Sequence, residues 1–281
     1  MKNLNALAYK LRMDTVDIIR SGNTGHIGGD MSVMEILTEL YFDRMNINPE
    51  YPNDPERDMF IMSKGHAMES YYAVLAEKGF LDKEEILRKF SRFGSKYIGH
   101  PNNKLPGIEM NSGSLGHGLP VCVGIALAGK MDNRKTRVYV VMGDGELAEG
   151  SVWEGVMAAS HYKLDNLCAV VDRNRLQISG STEEVMAHDD LDERFKSFGW
   201  NVINIPDGNS INDLRRGFGE AEGVKGRPSV LIANTIKGKG SSIMENKVSW
   251  HHHVPNDQEY DIIMADLEQR RRSFLNEQNS K

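Results

Sequence analysis

Val138-Tyr139-Val140-Val141-Met142-Gly143-Asp144-Gly145 is a run of five apolar side chains that ends in Gly-Asp-Gly. Leu167-Cys168-Ala169-Val170-Val171 is a second such run, and Asn174 follows it. Short continuous apolar runs suit strands covered on both faces, as in a parallel sheet. An Asp at one strand end and an Asn at a later one, with the 28 residues 146–173 between them, place two oxygen ligands on one rim of that sheet. Open α/β sheets bind their ligands on this rim, outside the carboxyl ends of the strands.

The pattern alternates on either side of these runs. A helix from about 119 to 130 leads into strand 137–142. Helix 151–162, strand 167–171, helix 189–198, strand 200–205, helix 210–222 and strand 229–233 follow. Such alternation predicts an α/β fold with a mostly parallel sheet and helices on both faces. Upstream, Leu4, Leu7, Leu11, Val16, Ile18 and Ile19 recur at helical spacing over 4–20. Ser32, with Glu35 three residues on, predicts a capping box that opens a helix through Phe42. A short strand is expected over 58–62, a helix over 67–78, and another short helix opened by Asp82. Residues 91–115 and 236–256 have little periodicity, and long loops of this kind are often functional. A charged helix over 257–273 reads as a solvated surface element ahead of a fraying polar tail. Nothing divides the chain by composition or repeat, so residues 1–281 are expected to form one domain.

The chain has 281 residues, 40 % of them hydrophobic, a net charge of −6 and a pI near 5.9. An acidic balance argues against a nucleic-acid partner, which wants clustered Lys and Arg. No stretch is long and apolar enough for a membrane span, and the N-terminus is too polar for a signal peptide. Cys122 and Cys168, the two cysteines, sit in apolar segments. They read as reduced thiols of a cytoplasmic protein.

Mg2+ takes six oxygens in near-octahedral geometry, usually a few side chains with phosphate and water. Asp144 offers a charged oxygen and Asn174 a neutral one. Gly143 and Gly145 let backbone approach an anion without a Cβ. Gly113-Ser114-Leu115-Gly116-His117-Gly118 precedes a helix, where amides and the helix dipole favour anions. Each feature alone has a plain structural alternative, since Asp-Gly is a common turn pair. Four histidines directly follow glycine: His26, His66, His100 and His117. Neutral imidazoles suit sugar hydroxyls and proton transfer.

The Gly-Asp-Gly…Asn spacing resembles the thiamine diphosphate-binding fold. SGNTGHIGG (21–29), SKGHA (63–67), GHPN (99–102), NSGSLGHGL (111–119) and KGKGSSIMENKVSWHHHVPN (237–256) occur in the order seen in transketolases. The resemblance runs from about residue 5 to residue 256. It implies the N-terminal, diphosphate-binding subunit of a split transketolase, moving a two-carbon ketol unit from a ketose to an aldose. The implied cofactors are thiamine diphosphate and Mg2+, with the metal on Asp144, Asn174 and the carbonyl of Leu176. Gly113, Leu115, Gly143, Gly145, His66 and His251 would meet the cofactor, and His26, His66, His100 and His251 would serve the reaction. Glu149 would lie at the dimer interface between two cofactor sites.

The resemblance also implies a second chain that carries the pyrimidine-binding domain, in an α2β2 assembly, and small sugar substrates. Ile27 and His117 depart from the Pro and Gln common in the family, and no role is assigned to His117, His252 or His253. Alternatives are another thiamine diphosphate enzyme, such as the E1 component of a 2-oxo acid dehydrogenase, or a non-catalytic module binding Mg2+ and diphosphate. The donor and acceptor sugars are left open.

Overall fold

Five strands form one parallel sheet in the computed structural model, which describes residues 3–188 and 190–279. The strands are β1 Met59–Met62, β2 Val138–Gly143, β3 Leu167–Arg173, β4 Asn201–Ile205 and β5 Ser229–Asn234, in the order β1-β2-β3-β5-β4. The helices are α1 Leu4–Gly22, α2 Ile27–Ser32, α3 Met34–Glu39, α4 Met68–Lys78, α5 Lys83–Lys89, α6 Gly118–Met131, α7 Gly150–His161, α8 Thr182–Met186, α9 Leu191–Ser197, α10 Ile211–Gly223 and α11 Asp257–Asn279.

Alternate residues of each strand enter two separate cores, as the two-residue period of a strand requires. Tyr139, Val141, Cys168, Val170, Leu231 and Ala233 pack on one face with α1, α3, α4 and α10. Val138, Val140, Met142, Ala169, Val171, Val230 and Ile232 pack on the other with α6, α7 and α9. The expected α/β fold with helices on both faces is therefore present. The register pairs Gly143 with Asp172, so Asp144 and Asn174 leave the sheet side by side.

Local chemistry explains several boundaries. Asn3 caps α1 by accepting from the Ala6 amide at 3.1 Å, and Asn23 closes it in the left-handed conformation. Asp82 caps α5 as expected, accepting from the Glu85 amide at 2.6 Å.

The capping box at Ser32 is not formed. The chain turns helical earlier, at Ile27, and Ser32 is the last residue of α2. Its hydroxyl donates to Asp172 Oδ2 at 2.6 Å, while Glu35 forms a two-point buried ion pair with Arg12, both contacts 2.6 Å. Long-range partners thus outcompete the local cap. The chain then runs on from α3 in one π-helical turn, Leu40–Arg44, so no single regular helix reaches Phe42.

The C-terminal helix is also longer and less solvated than expected. Ile263 and Leu267 are buried with Tyr9, Val16 and Ile19. Phe274 stacks on Tyr9 with ring centroids 5.7 Å apart, and Asn3 Nδ2 donates to its carbonyl at 2.8 Å. These contacts hold as helix what composition alone marks as a tail. The expected start of helix 189–198 and the last residues of the tail lie outside the described residues. No described helix is long and apolar enough to cross a membrane.

Candidate active site

A cavity of about 280 Å³ opens at the carboxyl ends of β2 and β3. Its walls gather residues from six separate segments. His26 comes from the turn into α2, and Lys64 and His66 from the loop after β1. His100, Gly113 and Leu115 come from the long loop before α6, and Gly143, Asp144, Gly145 and Glu146 from the end of β2. Asn174, Leu176, Gln177 and Ile178 follow β3, and Lys237 and His251 lie in the loop after β5. Every residue expected at the metal, the cofactor or the reaction thus reaches this cavity. Glu149, expected at an interface, is exposed outside it. A larger cleft of about 550 Å³ lies over α5 and residues 92–97, on the outer surface.

Asp144 is 3 % exposed. Its Oδ1 accepts from the Gly145 amide at 2.9 Å and its Oδ2 from the Arg175 amide at 2.6 Å. Burial pushes its carboxyl up to about 6 against those bonds. A buried carboxylate in need of positive charge fits a bound cation. Asn174 Oδ1 accepts from the Leu176 amide at 3.2 Å, and its Nδ2 donates to Ser32 Oγ at 3.3 Å. The Leu176 carbonyl accepts from Lys237 Nζ at 2.8 Å.

Among the described residues no group of three or more His, Cys, Asp or Glu is arranged to hold a metal. A set of one carboxylate, one amide and one carbonyl lies outside that class and matches Mg2+ rather than zinc. Gly143 faces open space, since a Cβ there would meet only Lys64 Cβ at 3.9 Å. At Gly145 a Cβ would come within 2.9 Å of Gln177 Cδ. Gly143 leaves room for a ligand, whereas Gly145 makes room for the protein.

Two buried lysines escaped the sequence reading. Lys64 Nζ donates to Asp172 Oδ2 at 2.5 Å and to the Gly29 carbonyl at 3.0 Å. Lys237 Nζ also lies 2.9 Å from His251 Nδ1, and burial lowers its pKa to about 8. Both sit inside motifs whose histidines drew the attention, SKGHA and KGKG. Asp172, fully buried, is the hub under the rim; Ser32, Lys64 and Thr235 all donate to it.

The glycine-rich loop behaves differently from expectation. The Gly116 amide donates to Glu146 Oε1 at 2.8 Å and the Gly118 amide to Ser63 Oγ at 3.1 Å. Glu146 also accepts from Ser63 Oγ and from the Gly143 amide. These two amides brace the loop internally and are not free for an anion. Gly113 and Leu115 alone of this loop line the cavity.

His26 is the centre of an imidazole cluster. Its ring centroid lies 5.3 Å from His66, 6.2 Å from His100, 5.7 Å from His251 and 4.7 Å from His252. Burial is the first cause that lowers the pKa of His26, to about 4, and of His251, to about 3. It also holds His66 well below and His100 below the ordinary value. All four rings are therefore neutral near pH 7, each with one N–H and one lone pair. The other histidines separate. His252 is exposed beside His26, His253 pairs with Glu259 Oε2 at 2.9 Å against the Trp250 ring, and His117 is exposed at the start of α6. His188, which no motif marked, is buried.

Residues 4–272 match the family model described as transketolase, thiamine diphosphate binding domain. The chain is 44 % identical to an apulose-4-phosphate transketolase subunit of Phocaeicola vulgatus, over 100 % of this chain and 99 % of that one. It is 38 % identical to 6-deoxy-6-sulfo-D-fructose transketolase subunit SqwG of a Clostridium species, over 95 % and 96 %. The transketolase structure from Leishmania mexicana superposes with a TM-score of 0.86 at 27 % identity, covering 100 % of this chain and 46 % of that one. The chain thus spans nearly all of two relatives named as subunits and less than half of a solved transketolase. It belongs to the transketolase family, as its N-terminal, thiamine diphosphate-binding portion.

Proposed function

We propose that this chain is the diphosphate-binding subunit of a two-chain transketolase, which moves a two-carbon ketol unit from a ketose to an aldose. The observation that carries this is the single cavity in which Asp144, Asn174 and Leu176 meet four neutral histidines. Asp144, Asn174 and the Leu176 carbonyl hold Mg2+. Lys64 and Lys237 offset the charge of a diphosphate, and Gly143 leaves space for it. Gly113, Leu115, Gly145, His66 and His251 complete the cofactor wall. When bound, thiamine diphosphate supplies the ring that stabilises carbanion character at the transferred carbon.

The protein's own share is orientation and proton transfer. His26, His66, His100 and His251 each offer a sugar hydroxyl an N–H to bind and a lone pair to take its proton. Their burial excludes water from the reacting carbons.

A second chain supplies the glutamate that works against the cofactor's aminopyrimidine ring, in an α2β2 assembly with Glu149 at the interface. Support comes from α6, which leaves Val121 and Met131 exposed, and from Met157 of α7 beside it. Apolar helix faces of this kind mark contact surfaces. Buried, unpaired Cys122 and Cys168 suit a cytoplasmic setting. Apulose 4-phosphate and 6-deoxy-6-sulfo-D-fructose are the first sugars to try, on the names of the two relatives.

The test is native mass spectrometry of the chain captured from its source cells with Mg2+ and thiamine diphosphate, followed by turnover assays. The expected complex holds an equimolar second chain and the cofactor, and it turns over while the purified chain alone does not. Turnover by the chain alone overturns the two-chain reading. A complex without cofactor overturns the catalytic one.

A further inference from the structure

Glu69, in the first turn of α4, and Asp30, in α2, are both fully buried, and neither lines the cavity. Asp30 Oδ1 accepts from the Ser70 amide at 2.8 Å. Asp30 Oδ2 and both carboxyl oxygens of Glu69 have no well-formed hydrogen bond when both groups are ionised. Three orphaned buried acceptors are a costly arrangement. One proton relieves most of the conflict, because a protonated Glu69 donates to Asp30 and leaves a single Glu69 oxygen to the nearby His26 amide. Burial and the Asp30 charge hold Glu69 well above the ordinary carboxylate range, in agreement with a retained proton.

The place of this pair gives it a role. A Cβ at Gly25 would lie 3.3 Å from Glu69 Cδ, and a Cβ at Gly99 would lie 3.7 Å from Glu69 Oε1. The Glu69 carboxyl is therefore seated against both backbone steps that carry the central histidines, Gly25-His26 and Gly99-His100. The His26 amide also interacts with it. No bond from another protein group fixes the buried Nδ1 of the His26 ring, so the ring depends on its backbone for placement. Both rings face the cavity, 6.2 Å apart.

We propose that Glu69, sharing one proton with Asp30, is a positioning residue that sets the spacing of His26 and His100 for the donor sugar. This rests on the transketolase reading of the cavity. The charged or titratable groups that act on the pair are Lys64 from the loop after β1 and Tyr72 of α4, with the His26 amide at the start of α2. The proton keeps the pair at a single negative charge, which faces Lys64. Loss of that proton puts two like charges against each other beneath both histidine loops and drives them apart.

The experiment compares wild type, Glu69→Gln and Glu69→Ala in the complex with the partner chain. The donor KM, kcat and thiamine diphosphate affinity are measured from pH 6 to 9. The ring resonances of His26 and His100 are recorded in the labelled chain. Glu69→Gln keeps a donor toward Asp30 without a titrating proton. Loss of the shared proton is expected to raise the wild-type donor KM toward pH 9; Glu69→Gln is expected to stay within about twofold of wild type in donor KM at pH 7 and to lack that alkaline rise. Glu69→Ala is expected to raise donor KM at least tenfold with cofactor affinity unchanged, and to shift both ring resonances. If Glu69→Ala does not fold, the alkaline limb of Glu69→Gln decides. An alkaline limb identical to wild type, or a Glu69→Ala chain whose His26 and His100 resonances do not move, overturns the proposal. A wild-type complex without two-carbon transfer defeats the functional reading instead, and the ring resonances still decide the positioning role.

Discussion

Lys237 Nζ sits 2.8 Å from the Leu176 carbonyl and 2.9 Å from His251 Nδ1, so a cation already occupies the oxygen that the family pattern gives to the metal. Mg2+ and this ammonium repel each other at that carbonyl unless an anion joins them. A diphosphate gives Lys237 a better partner and frees the carbonyl. Lys237→Ala is therefore expected to weaken thiamine diphosphate binding about ten- to hundredfold, the scale of one hydrogen bond to a charged group. Mg2+ binding without cofactor should not weaken. Calorimetric titration of the variant with each ligand checks both halves, and a parallel loss of Mg2+ affinity contradicts the competition.

With Asp144 as a ligand, as proposed, metal binding is expected to depend on pH. Its carboxyl is held up at about 6, first by burial, so below that pH most of the sites carry a proton. A ligand must lose that proton to take Mg2+. Affinity for Mg2+ with thiamine diphosphate should be flat above about pH 7 and fall toward about tenfold per unit below about 6. Asp144→Asn should remove this limb and bind far more weakly at every pH. Fluorescence titrations between pH 5 and 8 report it, and an unchanged affinity in Asp144→Asn excludes Asp144 as a ligand.

Much of this site was legible because its signals are local. The apolar runs ending at Gly143 and Val171 fix strand ends, and the register then brings Asp144 beside Asn174. The Gly-His pairs stand out as motifs. Lys64 and Lys237 do not, since a lone lysine in a loop reads as a solvated cation until burial is known. Asp172 left a weak trace as an acid directly after Val170-Val171. Asp30 and Glu69 left none, because their meeting depends on how α2 packs against α4. Ser32 misled for the same reason: its spacing to Glu35 is a local capping signal, but Asp172 and Arg12 are partners only in the folded chain. Phe274, with Leu275 beside it, was the apolar hint that the polar tail stays helical.

The histidines should behave as neutral bases throughout the working range. Burial and mutual repulsion, with the lysines nearby, hold His26 at about 4 and His251 at about 3. Their ring resonances should not titrate between pH 8 and 5.5, and an imidazolium form of either near pH 6.5 contradicts the assignment. His26→Ala should leave cofactor affinity within about threefold while lowering kcat/KM of the completed complex at least a hundredfold, the usual size of a general acid–base contribution.

Gly116 ties the glycine-rich loop before α6 to the exposed Glu149. Its φ of +83° lies in the left-handed region, where an L side chain is strained. An added Cβ would also lie 2.6 Å from Glu149 Cβ and 2.7 Å from Ser151 Oγ. Neither neighbour yields without cost, because Ser151 Oγ donates to the Gly116 carbonyl at 3.0 Å and Glu149 is the N-cap residue of α7. Gly116→Ala should therefore cost about 1–3 kcal/mol of stability, the range for backbone strain at such a site. The same clash pushes Glu149 outward. If Glu149 lies at the subunit interface, assembly should weaken more than the loss of stability accounts for. Gly219→Ala is the control, since nothing lies within 4 Å of a Cβ there and its exposed place on α10 adds no strain. Thermal unfolding of the isolated chain gives the first quantity and sedimentation of the complex the second. A Gly116→Ala chain that assembles in proportion to its folded fraction separates Glu149 from the interface.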